Sequence, residues 1–239
     1  MTADAEQVRQ AKQAIRARMR ERADAFLATG AAGAESARIL AAAEALPAFA
    51  AADCVLLYMA LPDEVQTGPL LARWQGRKRL VIPRVDGQDL TLCEYDPARL
   101  RPGYRGIPEP TADARTVAPE DIGLALVPGV AFAVEAGPLS GDCLAARPCS
   151  CDGSVGLPEA ARTDGAPLIG PRAADLLLQA APMMPPHVGK IRRLGRGKGF
   201  YDRLLPQLRC PAIGICYPFR VLDAVPADPW DRPLDGLVY

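Results

Sequence analysis

The chain has 239 residues, with 28 basic against 28 acidic side chains, 49% hydrophobic and 23% charged. That length suits one large domain or two small ones, and the hydrophobic fraction excludes a disordered chain. A formal net charge of zero gives no support to a nucleic-acid binder or to a polybasic membrane-surface protein.

The best apolar run, Ile122 to Val134, has 13 residues and is broken by Pro128 and Gly129. A spanning helix needs ~20. The N-terminus carries Asp4 and Glu6 without an apolar core, unlike a secretory signal. Too few residues precede Lys12 for an Arg-rich, acid-poor transit peptide. Seven cysteines at irregular spacings suit reduced thiols in a cytosol-like compartment. These features predict a cytoplasmic α/β protein.

In chain order, residues 6–29 read as a helix, with Val8, Ala11, Ile15, Met19 and Phe26 near helical spacing on an otherwise basic surface. An Ala-rich helix follows over 33–46 and ends at Pro47. The run from Cys54 to Met59 reads as a buried strand, residues 64–74 as a helix, and Arg79–Ile82 as a strand closed by Pro83. Asp89–Tyr95 alternates like a half-exposed strand, and Leu124–Val127 is a third buried strand closed by Pro128-Gly129. Phe200–Leu208 is helix-like, Ala212–Cys216 strand-like, and Leu237–Tyr239 a last strand. This alternation predicts a single α/β domain over 1–239, a mostly parallel sheet flanked by helices.

Residues 133–192 interrupt that order. They hold eight prolines, seven glycines, three cysteines and the only histidine, His187, with little periodicity outside Ala173–Ala181. A structureless stretch far longer than about 12–15 residues is functional, disordered or foreign to the fold. It is expected to be a long, irregular, largely disordered insertion outside the catalytic fold. Cys143, Cys149 and Cys151 lack metal-ligand spacing, and His187 receives no general-base role.

The chemistry concentrates in Arg193-Leu-Gly-Arg-Gly-Lys-Gly-Phe-Tyr-Asp202. Gly195, Gly197 and Gly199 let the backbone close around an anion, Arg196 and Lys198 add positive charge, and Asp202 is a hard oxygen donor suited to Mg²⁺ beside phosphates. The string alone leaves phosphate binding and a plain glycine-rich turn both open. Lys12 and Arg16, one helical turn apart, read on their own as a solvated basic face. Glu64 reads as a first-turn acid and Asp231 as a loop acid.

The string Leu194–Asp202 resembles the signature of the 5-formyltetrahydrofolate cyclo-ligase family. In the family's order stand Lys12 with Arg16, the Tyr58–Thr67 string, Ile82-Pro-Arg84, Gly106–Pro110, Val127–Phe132 and Asp228–Asp235. The resemblance covers the chain except 133–192. It implies ATP-dependent cyclisation of 5-formyltetrahydrofolate to the 5,10-methenyl form, through phosphorylation of the formyl oxygen. It implies ATP binding by Lys12, Arg16 and the loop Arg193, Leu194, Gly195, Arg196, Gly197, Lys198, Gly199, Phe200 and Tyr201. Folate contacts fall on Arg16, Met59, Glu64 and Arg196 to Phe200, catalytic charge on Lys198 and Arg196, and Mg²⁺ on Asp202 and Asp231. A monomer is expected, with folate and ATP but no nucleic acid or membrane as partners.

Three positions depart from the family's pattern. Arg105, beside Tyr104, stands where an aromatic is common; Phe200 replaces a tyrosine; and the usual Asp after Phe132 is absent. The sequence also admits a homologue with another ligand or no activity, or a product inactivated by the 133–192 segment.

Overall fold

The computed structural model describes residues 3–103, 106–135 and 187–239, which belong to one unit made of two stretches of chain. Tyr104, Arg105 and the three cysteines at 143, 149 and 151 lie outside the described residues. Helices α1 (Ala3–Ala28), α2 (Ala32–Glu44) and α3 (Pro47–Ala51) precede strand β1 (Cys54–Leu56) and helix α4 (Gly68–Trp74). Strands β2 (Arg79–Asp86), β3 (Asp89–Glu94), β4 (Leu100–Pro102), β5 (Pro108–Pro110), β6 (Leu124–Val127), β7 (Ala131–Val134) and β8 (His187–Leu194) follow. Helix α5 (Phe200–Leu204) and strands β9 (Ala212–Ile215) and β10 (Leu234–Val238) complete the chain.

Eight strands form one sheet in the order β3-β2-β1-β6-β9-β10-β8-β7. The pairings β2–β1, β1–β6, β6–β9 and β9–β10 are parallel. Antiparallel pairs finish both edges, β2–β3 on one side and β10–β8–β7 on the other. The sheet is therefore mostly parallel, as expected, and β4 and β5 form a separate ribbon.

Its central strands are apolar because both faces are covered. Val55, Leu57, Ile82, Leu124 and Leu126 pack under α2, α3 and α4 with Ile39, Leu40, Phe49, Leu70 and Leu71. The alternate positions Leu56, Val81, Ala125 and Val127 join Phe132, Ile191, Leu204 and Leu237 in a second cluster, as the period of two in a strand requires. Met19 of α1 packs with Val130, Ala131, Ala133 and Leu194 in a third.

The sequence boundaries need several corrections. Pro47 starts α3 rather than only ending a helix, because its fixed φ and missing N–H suit the first helical turn. Pro83 lies inside β2: the ladder to β1 stops at Val81, so Pro83 faces only β3, opposite Leu92. The helix expected over 64–74 begins at Gly68, and the one expected over 200–208 stops at Leu204 before a 3₁₀ turn, Leu205–Gln207. Most important, both margins of the 133–192 segment belong to the sheet. Ala133 and Val134 are in β7 and residues 187–192 are in β8, with Phe132 opposite Arg193 and Val134 opposite Ile191.

Candidate active site

The first wall of the site is the loop between β1 and α4, which carries Met59, Asp63 and Glu64. Hydrogen bonds pin it densely. Thr67 Oγ1 donates to Tyr58 O at 2.5 Å and Tyr58 Oη to Val65 O at 3.1 Å. Gln66 Nε2 donates to the carbonyls of Leu61 and Glu64 at 2.8 and 2.6 Å. Beneath it, the Tyr217 hydroxyl donates to Glu64 O at 3.0 Å and pairs with Ser36 Oγ at 2.8 Å. The Glu64 carboxylate accepts from Leu61 N at 3.1 Å. Such side-chain-to-backbone bonds satisfy a buried loop's polar groups and fix its shape.

The second wall is the glycine loop between β8 and α5. Gly197 and Gly199 take φ values of +96° and +69°, left-handed backbone that other residues enter only with strain. Arg196 reaches across 132 positions to the first wall, donating to Glu64 Oε1 at 3.1 and 2.9 Å and to Asp63 Oδ1 at 2.7 Å. Asp63 in turn accepts from the buried Arg220 at 2.9 Å. Burial works against the Arg196 charge, yet Glu64 and Asp63 outweigh it and raise its pKa. Burial likewise opposes ionisation of Asp63, and Arg196 and Arg220 overcome it, holding the carboxyl below its ordinary range.

Arg193 is buried and commits its guanidinium to Asp202 Oδ1 at 2.7 Å, with the Tyr201 ring 5.5 Å away. Gly129 makes room for it: a Cβ there would stand 2.5 Å from the Phe132 ring and 3.1 Å from Arg193 Cγ. Leu194 turns its side chain into the core, and its carbonyl accepts from Val130 N at 2.7 Å. Lys198 is exposed and its ammonium has no partner among the described residues. Phe200 and Tyr201 open α5, a helix of five residues. So short a helix contributes little dipole, and the loop itself must supply the anion-directed groups.

Helix α1 presents Lys12, Arg16, Met19 and Ala23 on its inward stripe. Lys12 is only 7% exposed, so the solvated-face alternative fails for it. Its ammonium bridges Asp228 (2.6 Å) and Asp231. Asp231 Oδ2 also accepts from Asp228 N at 2.8 Å, which closes the turn before β10. Arg16 Nε donates to Gly195 O at 2.9 Å. Burial lowers the Arg16 pKa, while Asp231 and Asp202 oppose that shift.

Between the walls lies a cleft of about 340 Å³. Of the candidate residues, Met59, Glu64, Arg193, Gly195, Arg196, Lys198, Gly199, Phe200, Tyr201 and Asp202 line it. Pro83, Val85, Leu90, Ile107 and Pro128 supply an apolar side opposite the charged loop. Lys12, Arg16 and Asp231 do not line it, and Gly197 lies against Arg16, where a Cβ would stand 3.5 Å from Arg16 Cζ.

Among the described residues no group of three or more His, Cys, Asp or Glu side chains could hold a metal. Asp202 and Asp231 each carry a cation partner, but each keeps one carboxylate oxygen outside any hydrogen bond among the described residues. Of the two, Asp202 lines the cleft and Asp231 does not. A free carboxylate oxygen such as that of Asp202 is the kind of hard donor that Mg²⁺ takes beside phosphate oxygens and water.

Sequence reasoning missed Asp63, Asp228, Arg220 and Glu109. The first three act through partners distant in the chain, which no local pattern reveals. Glu109 lines the cleft, and Gly103 lies so close that a Cβ there would overlap its side chain. The string Gly106–Pro110 was its available signal.

Two walls that gather arginine, lysine and glycine backbone beside an apolar face define a site for a ligand both anionic and hydrophobic. The model of the 5-formyltetrahydrofolate cyclo-ligase family matches residues 8–138 and 187–239. The chain belongs to that family, whose members are ligases. It is 54% identical over 48 residues to the 5-formyltetrahydrofolate cyclo-ligase of Mycoplasma pneumoniae, a match that takes in 19% of this chain and 29% of that curated relative. The NMR structure of Aquifex aeolicus 5,10-methenyltetrahydrofolate synthetase superposes with a TM-score of 0.65 at 27% identity, over 95% of this chain and 89% of that one. A Mycoplasma pneumoniae 5,10-methenyltetrahydrofolate synthetase structure superposes with a TM-score of 0.57 at 21% identity, over 95% and 97% of the two chains. At that identity the likeness concerns the fold alone.

Proposed function

We propose that this chain catalyses the ATP-dependent cyclisation of 5-formyltetrahydrofolate to 5,10-methenyltetrahydrofolate. The observation that carries this reading is the cleft, with its unpaired Lys198 and the glycine loop on one side and an apolar face on the other. A polyphosphate suits the first and a flat heterocycle the second.

The formyl oxygen is a poor leaving group. It attacks the γ-phosphorus of ATP, the bond to ADP breaks, and the oxygen becomes part of a phosphate ester. The bridge nitrogen of the folate then attacks the activated carbon, loses its proton, and phosphate departs. The protein aligns the two substrates and offsets the charge on the moving phosphoryl group. Lys198, with no carboxylate to neutralise it among the described residues, supplies the free charge. Arg196, fixed by Asp63 and Glu64, supplies an oriented one, and Glu64 and Met59 face the folate. Asp202 and Asp231 would hold Mg²⁺, which when bound neutralises phosphate charge. No covalent enzyme intermediate is needed.

The reaction suits the reducing cytoplasm, in keeping with free thiols at Cys54, Cys93, Cys210 and Cys216. Among the described residues no helix is long and apolar enough to cross a membrane. We take the working form to be a monomer without nucleic-acid or membrane partners. Purified, folded protein given Mg²⁺-ATP and 5-formyltetrahydrofolate should develop the methenyl absorbance near 360 nm with one ADP per turnover. A flat trace would refute the reading.

A further inference from the structure

Arg196 lines not only the cleft but also a second cavity, of about 110 Å³. Its polar wall is Arg16, Arg20, Asp63, Arg196 and Arg220. Met19 and Val130 form the apolar remainder. Four arginines thus line the cavity with one carboxylate, and that carboxylate is spent. Asp63 accepts from Arg196 at 2.7 Å and from Arg220 at 2.9 Å, while Arg196 is further paired with Glu64 from the cleft side.

Unspent donors remain. Arg220 is 1% exposed, gives Nη1 to Val130 O at 2.8 Å and Nη2 to Asp63, and leaves Nε buried without a partner. Arg20 has no hydrogen bond or ion pair among the described residues. Arg16 uses Nε on Gly195 O, and its Nη atoms make no hydrogen bond among the described residues. The buried Arg220 Nε–H is costly to leave unpaired, Arg20 reaches the cavity from the exposed side of α1, and planar guanidinium forks match the oxygens of a tetrahedral anion. The volume admits such an anion but not a nucleoside.

We propose that this cavity binds a free tetrahedral oxyanion, inorganic phosphate, at a site separate from the nucleotide's place on the glycine loop. Arg20 and Arg220 are its distinguishing residues, and Arg196 is the wall it shares with the cleft. Phosphate is the product released in the reaction proposed above, so the cavity receives it one guanidinium away from where it forms. Only that link rests on the reading of the cleft. The binding does not.

The test is titration of the full chain with inorganic phosphate at low ionic strength, by calorimetry and ³¹P NMR, with and without saturating ADP. One saturable site is expected, its affinity changed less than about twofold by ADP. Arg20→Ala should weaken binding roughly tenfold or more, the scale of one charge-assisted contact. Arg18→Ala removes the same charge from an exposed position of α1 outside the cavity, and should leave the affinity within about twofold. At a given concentration phosphate should also raise the melting temperature of the wild type more than that of Arg20→Ala. Absence of saturable binding in folded protein would overturn the proposal. So would equal losses in the two variants, or displacement by ADP, which would put the anion on the nucleotide's own loop. Because binding is read without turnover, a silent 360 nm assay would fault the reading of the cleft and leave this one standing.

Discussion

Arg16 Nε donates to the carbonyl oxygen of Gly195 at 2.9 Å, tying the first helix to the first glycine of the loop 179 positions later. The bond holds backbone that glycine would otherwise leave free to rearrange. Arg16→Ala and Arg16→Lys should therefore both raise KM for ATP, by about tenfold, since an ammonium cannot reproduce the directional Nε–H bond. Steady-state kinetics decide. A lysine variant with unchanged KM would mean that charge alone matters at this position.

Among the described residues Lys198 has no partner to lose. Lys198→Ala should leave the melting temperature within about 1 °C while kcat falls roughly 10²–10³-fold, as when one preorganised charge is deleted at a phosphoryl-transfer site. Asp202→Asn should behave differently, because Asp202 also holds the buried Arg193. It should lower the melting temperature and raise the Mg²⁺ requirement, with partial rescue at high magnesium. Normal kinetics in both variants would refute the site assignment.

The Asp63 carboxyl titrates below its ordinary value of 3.8: burial pushes upward, but Arg196 and Arg220 prevail. A depressed folded-state value means that its stabilisation is fully present above 3.8 and is lost as pH falls through the lower folded-state value. Asp63→Asn should destabilise by about 1–3 kcal/mol at pH 7. The deficit should shrink as pH drops below 3.8. Urea unfolding at pH 7 and near pH 3 tests this, and an undiminished deficit at the lower pH would exclude an ionised Asp63.

Deleting the long segment separates two readings of its limits. Replacing Gly137–Met184 by a four- or five-residue turn keeps β7 and β8 whole, and should change stability by no more than about 2–3 kcal/mol, since loop closure costs ~0.6 kcal/mol per doubling of length. Removing 133–192 instead takes away most of β8, including Ile191, which pairs with Leu234 of β10. That variant should fail to fold, as circular dichroism and thermal melts would reveal. Equal stability of the two would show that β8 is dispensable.

The legible parts of the chain were those written in local pattern. The buried strands Cys54–Leu56 and Leu124–Val127 lie in unbroken apolar runs, and β2 shows one in Leu80–Ile82. The run expected over 54–59 outlasts its strand by three residues. The glycine loop stands out as a string, without its spacing alone choosing between a phosphate loop and a plain turn. β8 did not read as a strand because His-Val-Gly-Lys-Ile-Arg-Arg-Leu holds three cations and follows a long irregular stretch. Arg193 is tolerated inside the sheet only because Asp202 meets it there. Lys12 and Arg16 were singled out through family resemblance alone, and neither lines the cleft. Their partners, Asp228 and Asp231 for Lys12 and Gly195 for Arg16, stand 179 or more positions away, beyond the reach of any local pattern.

The hairpin of β7 and β8 bears on what this architecture can carry. Glu135 N donates to Lys190 O at 3.0 Å, and the Glu135 carboxylate receives Arg192. The outgoing and returning chain are thus clasped side by side, one strand spacing apart. Register is set by the clasp and not by whatever lies between, so cargo of any length with neighbouring ends can be grafted there. A reporter domain spliced between these strands would ride as a passenger on an intact fold, its signal reporting on the same polypeptide.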